Sequence, residues 1–194
     1  MDRQPLLDFI RNHSPANPDV ILYIAGHFEA VNIAKNNFFL KEQTISDHYL
    51  FLSEGIMRAF TLDTNGNEVT TYFYTGNSIV FEAASFFMRS KSSENIQALT
   101  DCKGFSISFA KLNMLFHSVP EFREFGRAML VKEFVTFKQR TLSMINTTAE
   151  VRYADLMASN AAIFKHAQLR YIASYLGITD TSLSRIRKDF FKKS

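Results

Sequence analysis

From Arg185 to Lys193 the chain places five cations, Arg185, Arg187, Lys188, Lys192 and Lys193, among the apolar residues Ile186, Phe190 and Phe191. Cations at this density suit the neutralisation of a polyanion, in which each phosphate contact releases condensed counterions. Over residues 165–194 seven cations stand against two acids, a net charge of +5, while the preceding residues sum to −2 and the whole chain to +3. Charge is therefore polarised toward one end, as in a chain whose tail meets a polyanion, although a solvated basic helix would show the same polarity.

The residues before these cations read as two short helices joined by a turn. Counted from Leu169 as the first of twenty positions, the helix-turn-helix pattern asks for apolar residues at the fourth, eighth, tenth, fifteenth and eighteenth, a small residue at the fifth and glycine at the ninth. Ile172, Leu176, Ile178, Leu183, Ile186, Ala173 and Gly177 meet every demand. Each has a cause: Ala173 lets two helices approach, Gly177 permits a left-handed turn, and the apolar positions lock the crossing angle. Thr179 is placed to cap the second helix, leaving Thr181, Ser182, Ser184, Arg185, Arg187 and Lys188 as candidate DNA contacts. Arg185 suits a bidentate bond to a guanine edge, whereas Arg187, Lys188, Lys192 and Lys193 suit phosphates. Asp180 repels phosphate unless it accepts from a cytosine amino group.

Other chemistry is poorly supplied. A lone cysteine, Cys102, cannot form an internal disulfide or build a zinc or iron-sulfur site, and His13, His27, His48, His117 and His166 form no close ligand pair. Nothing in the spacing argues for haem or for any metal. No glycine-rich phosphate loop, H-E-x-x-H, nucleophile elbow or supported carboxylate pair is present, and Glu29 and Glu42 read as solvated charges, so an enzyme is not expected. No apolar run approaches the length of a membrane span and the opening residues lack a signal-peptide core, which points to a cytoplasmic protein without a membrane partner.

The 194 residues, 46% of them hydrophobic, can bury a core. Short apolar runs separated by turn signals occur at 38–40, 48–52, 56–62, 68–74, 78–81 and 104–109 and predict strands. Asn65-Gly66 marks a hairpin turn, and Gly55 and Gly76 mark two more. Near residue 119 the pattern turns helical. Pro120 to about Ile145 predicts one helix on the order of 37 Å long, with Phe122, Phe125 and Met129 in one apolar stripe and Leu130, Phe134, Phe137 and Met144 in a second. A helix apolar on two sides is buried on two sides, against its own roll and against the same helix of a second chain, or else within a monomeric core. Two shorter helices are expected around Leu6–Ile10 and Asp19–Ala25. Thr147 and Glu150 suggest a capping box, opening a helix that turns Val151, Ala154, Leu156 and Met157 toward a second core.

In these segments the chain resembles the Crp/Fnr transcription regulators. KNNFFLKEQTISDHYLFLSEGIMRAFTLDTNGNEVT is similar to their cyclic-nucleotide-binding-type roll, the helix from Pro120 to their dimerisation helix, and IASYLGITDTSLSRIRK to their helix-turn-helix. The resemblance implies an α+β fold: a sensor domain at 1–146 that includes a dimerisation helix at 120–145, then a helix-turn-helix domain at 147–194. It implies a bacterial homodimer that binds a two-fold symmetric site on double-stranded DNA, with RNA polymerase as a further partner. A ligand-binding or protein-interaction module that does not bind DNA is the alternative. The family's phosphate cassette pairs a Gly-Glu with an Arg-Ser or Arg-Ala ten residues later. Here Phe81-Glu82 and Ser92-Ser93 stand at those places. Glu82, Ser92 and Ser93 are the matching effector positions, and without the arginine a buried cyclic phosphate lacks its charge partner. Either Arg89 or Lys91 takes over that role, or the pocket holds an apolar effector or none.

Overall fold

The computed structural model describes residues 1–193, the side chains of Phe191 and Lys193 excepted; the phosphate contact expected of Lys193 thus lies outside the described residues. Prolines open the first two helices, α1 (Gln4–His13) and α2 (Pro18–Gly26), and Asn17 caps the second by accepting from the Val20 amide at 3.0 Å. Then come β1 (Glu29–Ile33), β2 (Phe38–Leu40), β3 (His48–Glu54), β4 (Ile56–Leu62), β5 (Glu68–Thr75) and β6 (Ser78–Val80). A short helix α3 (Ala83–Met88) precedes β7 (Asn95–Ala98) and β8 (Cys102–Ser108). The rest is helical: α4 (Phe109–Ser118), α5 (Pro120–Asn146), α6 (Ala149–Asn160), α7 (Ile163–His166), α8 (Leu169–Leu176) and α9 (Asp180–Lys193).

The strands form two antiparallel sheets, ordered β1-β8-β3-β6 and β2-β7-β4-β5. Alternation sends Leu50 and Leu52 of β3, Met57 and Ala59 of β4, and Ile96 and Ala98 of β7 into the core between them. The outer faces are covered as well. Tyr49, Phe51, Phe105 and Ile107 of the first sheet pack under α1, α2, α4 and the start of α5. Ile56 and Phe73 of the second share a core with Tyr153, Ile163, Tyr171, Ile172, Leu176 and Leu183 of the terminal helices. Both faces buried explains why β3 and β4 read as nearly continuous apolar runs.

Several expectations need correction. The C-terminal run of helices begins at Phe109, not near 119, and β1 and β7 are strands that the apolar runs do not predict. Thr148 rather than Thr147 caps α6, accepting from the Val151 amide at 3.4 Å, because the Thr147 hydroxyl is already committed to the Ser143 carbonyl of α5 at 2.6 Å. Val151 is exposed, and Tyr153 occupies the second core in its place. The stripe of Phe122, Phe125 and Met129 is buried as expected, while Phe134, Phe137 and Ile145 are 66%, 65% and 78% exposed in the single chain.

The terminal helices meet the roll around one buried cation. On β4, alternation points Arg58 away from the roll core, and it is 1% exposed. Its guanidinium carbon lies 3.4 Å from the Tyr171 ring centre and 4.0 Å from that of Phe60, and Nη2 bonds Glu68 at 2.5 Å. Among the described residues Nε and Nη1 have no acceptor, so the π faces carry that part of the cation. Nearby, the Thr70 amide donates to the Ser174 hydroxyl at 3.1 Å, and the rings of Phe73 and Tyr175 sit 5.1 Å apart. Arg58→Ala empties the space against two rings and is expected to cost about 3 kcal/mol. Calorimetry measures the loss, and amide exchange should quicken in α8 before the roll. Quickening spread evenly over the chain would contradict a role at this junction.

Candidate nucleic-acid interface

Gly177 ends α8 in the left-handed conformation, φ 68° and ψ 34°, as the turn requires. The Gly177 amide returns to the Ser174 carbonyl at 3.1 Å and the Ile178 amide to that of Ala173 at 3.0 Å. The remaining carbonyls at this helix end find two arginines. Arg140 of α5 donates to Tyr175 O at 3.0 Å, and Arg152 of α6 donates to Leu176 O at 2.9 and 3.2 Å. Sequence reasoning missed both, since nothing in their spacing marks a cation aimed at a distant helix end. A Cβ on Gly177 would collide with the methyl of Met144, so α5 touches the turn directly. Thr179 caps α9 as expected, accepting from the Ser182 amide at 3.2 Å.

In α9, Leu183 and Ile186 are buried, with Phe190 packed against the same core. At about 100° per residue the opposite face carries Thr181, Ser184, Arg185, Lys188 and Lys192, all exposed. Ser182 and Arg187 flank it half-buried, and the Ser182 hydroxyl is bonded to that of Thr179 at 3.1 Å. Four of the six candidate DNA contacts therefore share one solvent face. Asp180 has a local reason to be acidic, because it occupies the first position of α9, where the helix dipole favours an anion. Glu150 is held below the usual carboxylate range by its own backbone amide and the Thr148 hydroxyl, with a smaller effect from Arg185, which places Arg185 near the start of α6.

Residues 30–118 match the family model described as cyclic nucleotide-binding domain. Among solved structures, FixK2 from Bradyrhizobium japonicum superposes with a TM-score of 0.74 at 15% identity, over 86% of this chain and 85% of that one. A protein from Eubacterium rectale assigned to the Crp/Fnr family gives 0.71 at 17% identity, over 94% and 88%. A CooA mutant from Carboxydothermus hydrogenoformans gives 0.66 at 15%, over 97% and 84%. The chain has the Crp/Fnr fold. No curated protein matches it by sequence.

A Crp/Fnr roll of the cyclic-nucleotide type needs a cation for the cyclic phosphate, and the residues present do not fit one. Ser92 is fully buried, its hydroxyl donating to the Glu94 carbonyl at 2.8 Å and accepting from the Glu94 amide at 3.1 Å. Ser93 is exposed, and its carbonyl accepts from the Thr61 hydroxyl at 3.0 Å. Glu82 is occupied as the cap of α3, accepting from the Ala84 and Ser85 amides at 3.1 and 2.6 Å. Of the two substitutes, Arg89 is committed elsewhere, pairing with Asp47, donating to Ser46 O at 2.9 Å and resting 4.3 Å from the Phe109 ring centre; Lys91 is exposed beside Ile45. Two carboxylates, Glu82 and Glu94, repel each other in this region.

Burial pushes the Glu94 carboxyl above its ordinary value, with Glu82 adding like-charge repulsion. A raised folded-state value means that the contribution of Glu94 to stability is fully present below the unfolded value near pH 4.5 and is lost as pH rises through the folded one. Glu94→Gln should therefore raise the melting temperature at pH 7 by a few degrees, and the gain should vanish below pH 4. A gain that persists in acid would contradict burial of a charge as its source.

Proposed function

We propose that this chain is a DNA-binding transcription regulator that acts as a homodimer. The observation that carries this reading is the exposed face of α9, where Arg185 and Lys188 stand beside Thr181 and Ser184 on a helix backed by a glycine turn and a buried core. Such a helix fits the major groove, with Arg185 reading a guanine edge and Lys188 and Arg187 neutralising phosphate. Residues 1–146 then serve as the sensor and 147–194 as the reading unit, in the cytoplasm, with RNA polymerase as the machinery acted upon.

The exposed apolar face of α5, Val131, Phe134, Val135, Phe137, Leu142 and Ile145, supports pairing with a second copy. Pairing along α5 brings two α9 helices into successive turns of one duplex, with half-sites about 34 to 36 Å apart. Because α5 also touches the turn through Met144 and Arg140, a change in the crossing of paired α5 helices alters the separation of the reading helices.

Selection of bound genomic fragments at a stated salt concentration supplies the operator for a gel-shift titration. Arg185→Ala should weaken binding by about 1 to 3 kcal/mol and relax the preference at one base pair, whereas Lys188→Ala should weaken all sequences alike and lower the salt slope by about 1. Equal, sequence-blind losses from both would refute these roles. Phe134→Glu places a charge in the pairing face, so light scattering should report a monomer with little operator affinity. An unaltered dimer would remove α5 as the interface, and indifference of the parent chain to duplex DNA at low salt would remove the proposal.

A further inference from the structure

Between α5 and the outer face of the β1-β8-β3-β6 sheet lies a cavity of about 170 Å³. Phe81 of the cassette lines it but Glu82, Ser92 and Ser93 do not, so it adjoins the cassette without including the positions matched to the phosphate site. Its walls are aromatic: Phe9, Tyr49, Tyr72, Phe81, Phe87 and Phe116. Gly126 makes one wall possible, since a Cβ there would lie 2.7 Å from Phe116 Cζ and force that ring away from α5.

Two polar groups inside lack the partners that burial normally demands. Tyr49 is 6% exposed, and its hydroxyl joins no hydrogen bond among the described residues yet is not sealed into the packing. Glu133 lines the same cavity, and among the described residues its one hydrogen bond is a long one, accepted from the Tyr72 hydroxyl at 3.5 Å. Burial pushes the Glu133 carboxyl above its usual range, against the lowering effects of Lys132 and that hydroxyl. Lys132, on the rim, is exposed and is the lone cation of the lining.

Ring faces and a carboxylate both attract a positive charge, and the attraction strengthens where water is excluded. The remainder of the wall, with Ile79 and Met129, asks for an apolar body. A cavity of about 150 Å³ holds one benzene ring. An aromatic acid would set its carboxylate against Glu133, while a hydrocarbon would leave the Tyr49 hydroxyl and Glu133 unanswered. We propose that this cavity binds a small primary amine carrying one aromatic ring, its ammonium between the Glu133 carboxylate and the Tyr49 hydroxyl and its ring among the phenylalanines. The assignment stands on the cavity alone and holds whether or not the chain binds DNA.

The test is calorimetric titration of the full chain with 2-phenylethylamine, phenylacetate and ethylbenzene, paired with thermal melts. The amine should bind saturably and raise the melting temperature, ethylbenzene should bind at least tenfold more weakly, and phenylacetate should not bind. Glu133→Gln should reduce amine affinity tenfold or more without altering ethylbenzene binding. Tyr49→Phe, which removes a single oxygen, should reduce it severalfold and keeps the test decisive if the first variant folds poorly. Amine affinity should also rise with pH as Glu133 ionises among the groups facing it, Lys132, Tyr72 and Tyr49. Absence of saturable binding by any probe, equal affinity for amine and hydrocarbon, or an unchanged amine affinity in both variants would overturn the assignment.

Discussion

A cation taken out of water must be met by negative charge or by the faces of aromatic rings, and Arg58 is met by both. Its position on a strand of the second sheet makes the packing of the terminal helices a condition of its burial. Tyr171 has to lie across the guanidinium, which fixes α8, and α8 in turn sets the turn at Gly177 and the direction of α9. Glu68, at the start of the neighbouring strand, completes the arrangement from the roll side. The orientation of α9 is therefore held by a side chain of the roll. Arg140 and Arg152 reinforce it by answering carbonyls that the glycine turn leaves open.

α5 is the element through which these parts meet. One side packs against the roll through Phe122, Phe125 and Met129; further along, Glu133 and Thr136 help to line a cavity, and Arg140 and Met144 reach the helix-turn-helix. The remaining side is apolar and uncovered in the single chain. A helix of 27 residues can serve all of these neighbours because its apolar residues spread around the circumference instead of following one stripe.

Much of this was legible in the sequence. The helix-turn-helix was, since each of its positions has a local cause, and so were six of the strands, whose apolar runs stand between turn residues. β1 and β7 escaped because Glu-Ala-Val-Asn-Ile and Asn-Ile-Gln-Ala are short and half polar, and pairing with β8, β2 and β4, not composition, makes them strands. Adjacent threonines concealed the start of α6, where hydrogen bonding to the preceding helix decides which one caps. Arg58 was the largest omission. A cation in the run Ile-Met-Arg-Ala-Phe reads as a solvent-facing position, and its burial depends on Tyr171, far away in the chain. The cavity beside α5 escaped for the same reason, being made by seven elements that meet only in the folded molecule.

The terminal helices lack a complete interior of their own: Ile56, Phe73 and Leu99 of the roll fill part of it. This imposes an order on biosynthesis. Chains emerge from the ribosome amino end first, and domains generally fold as they appear, so by the time α8 and α9 are free to move, the surface on which they settle already exists. The terminal helices are thus moulded on the roll, and a roll that fails to form leaves them without a template.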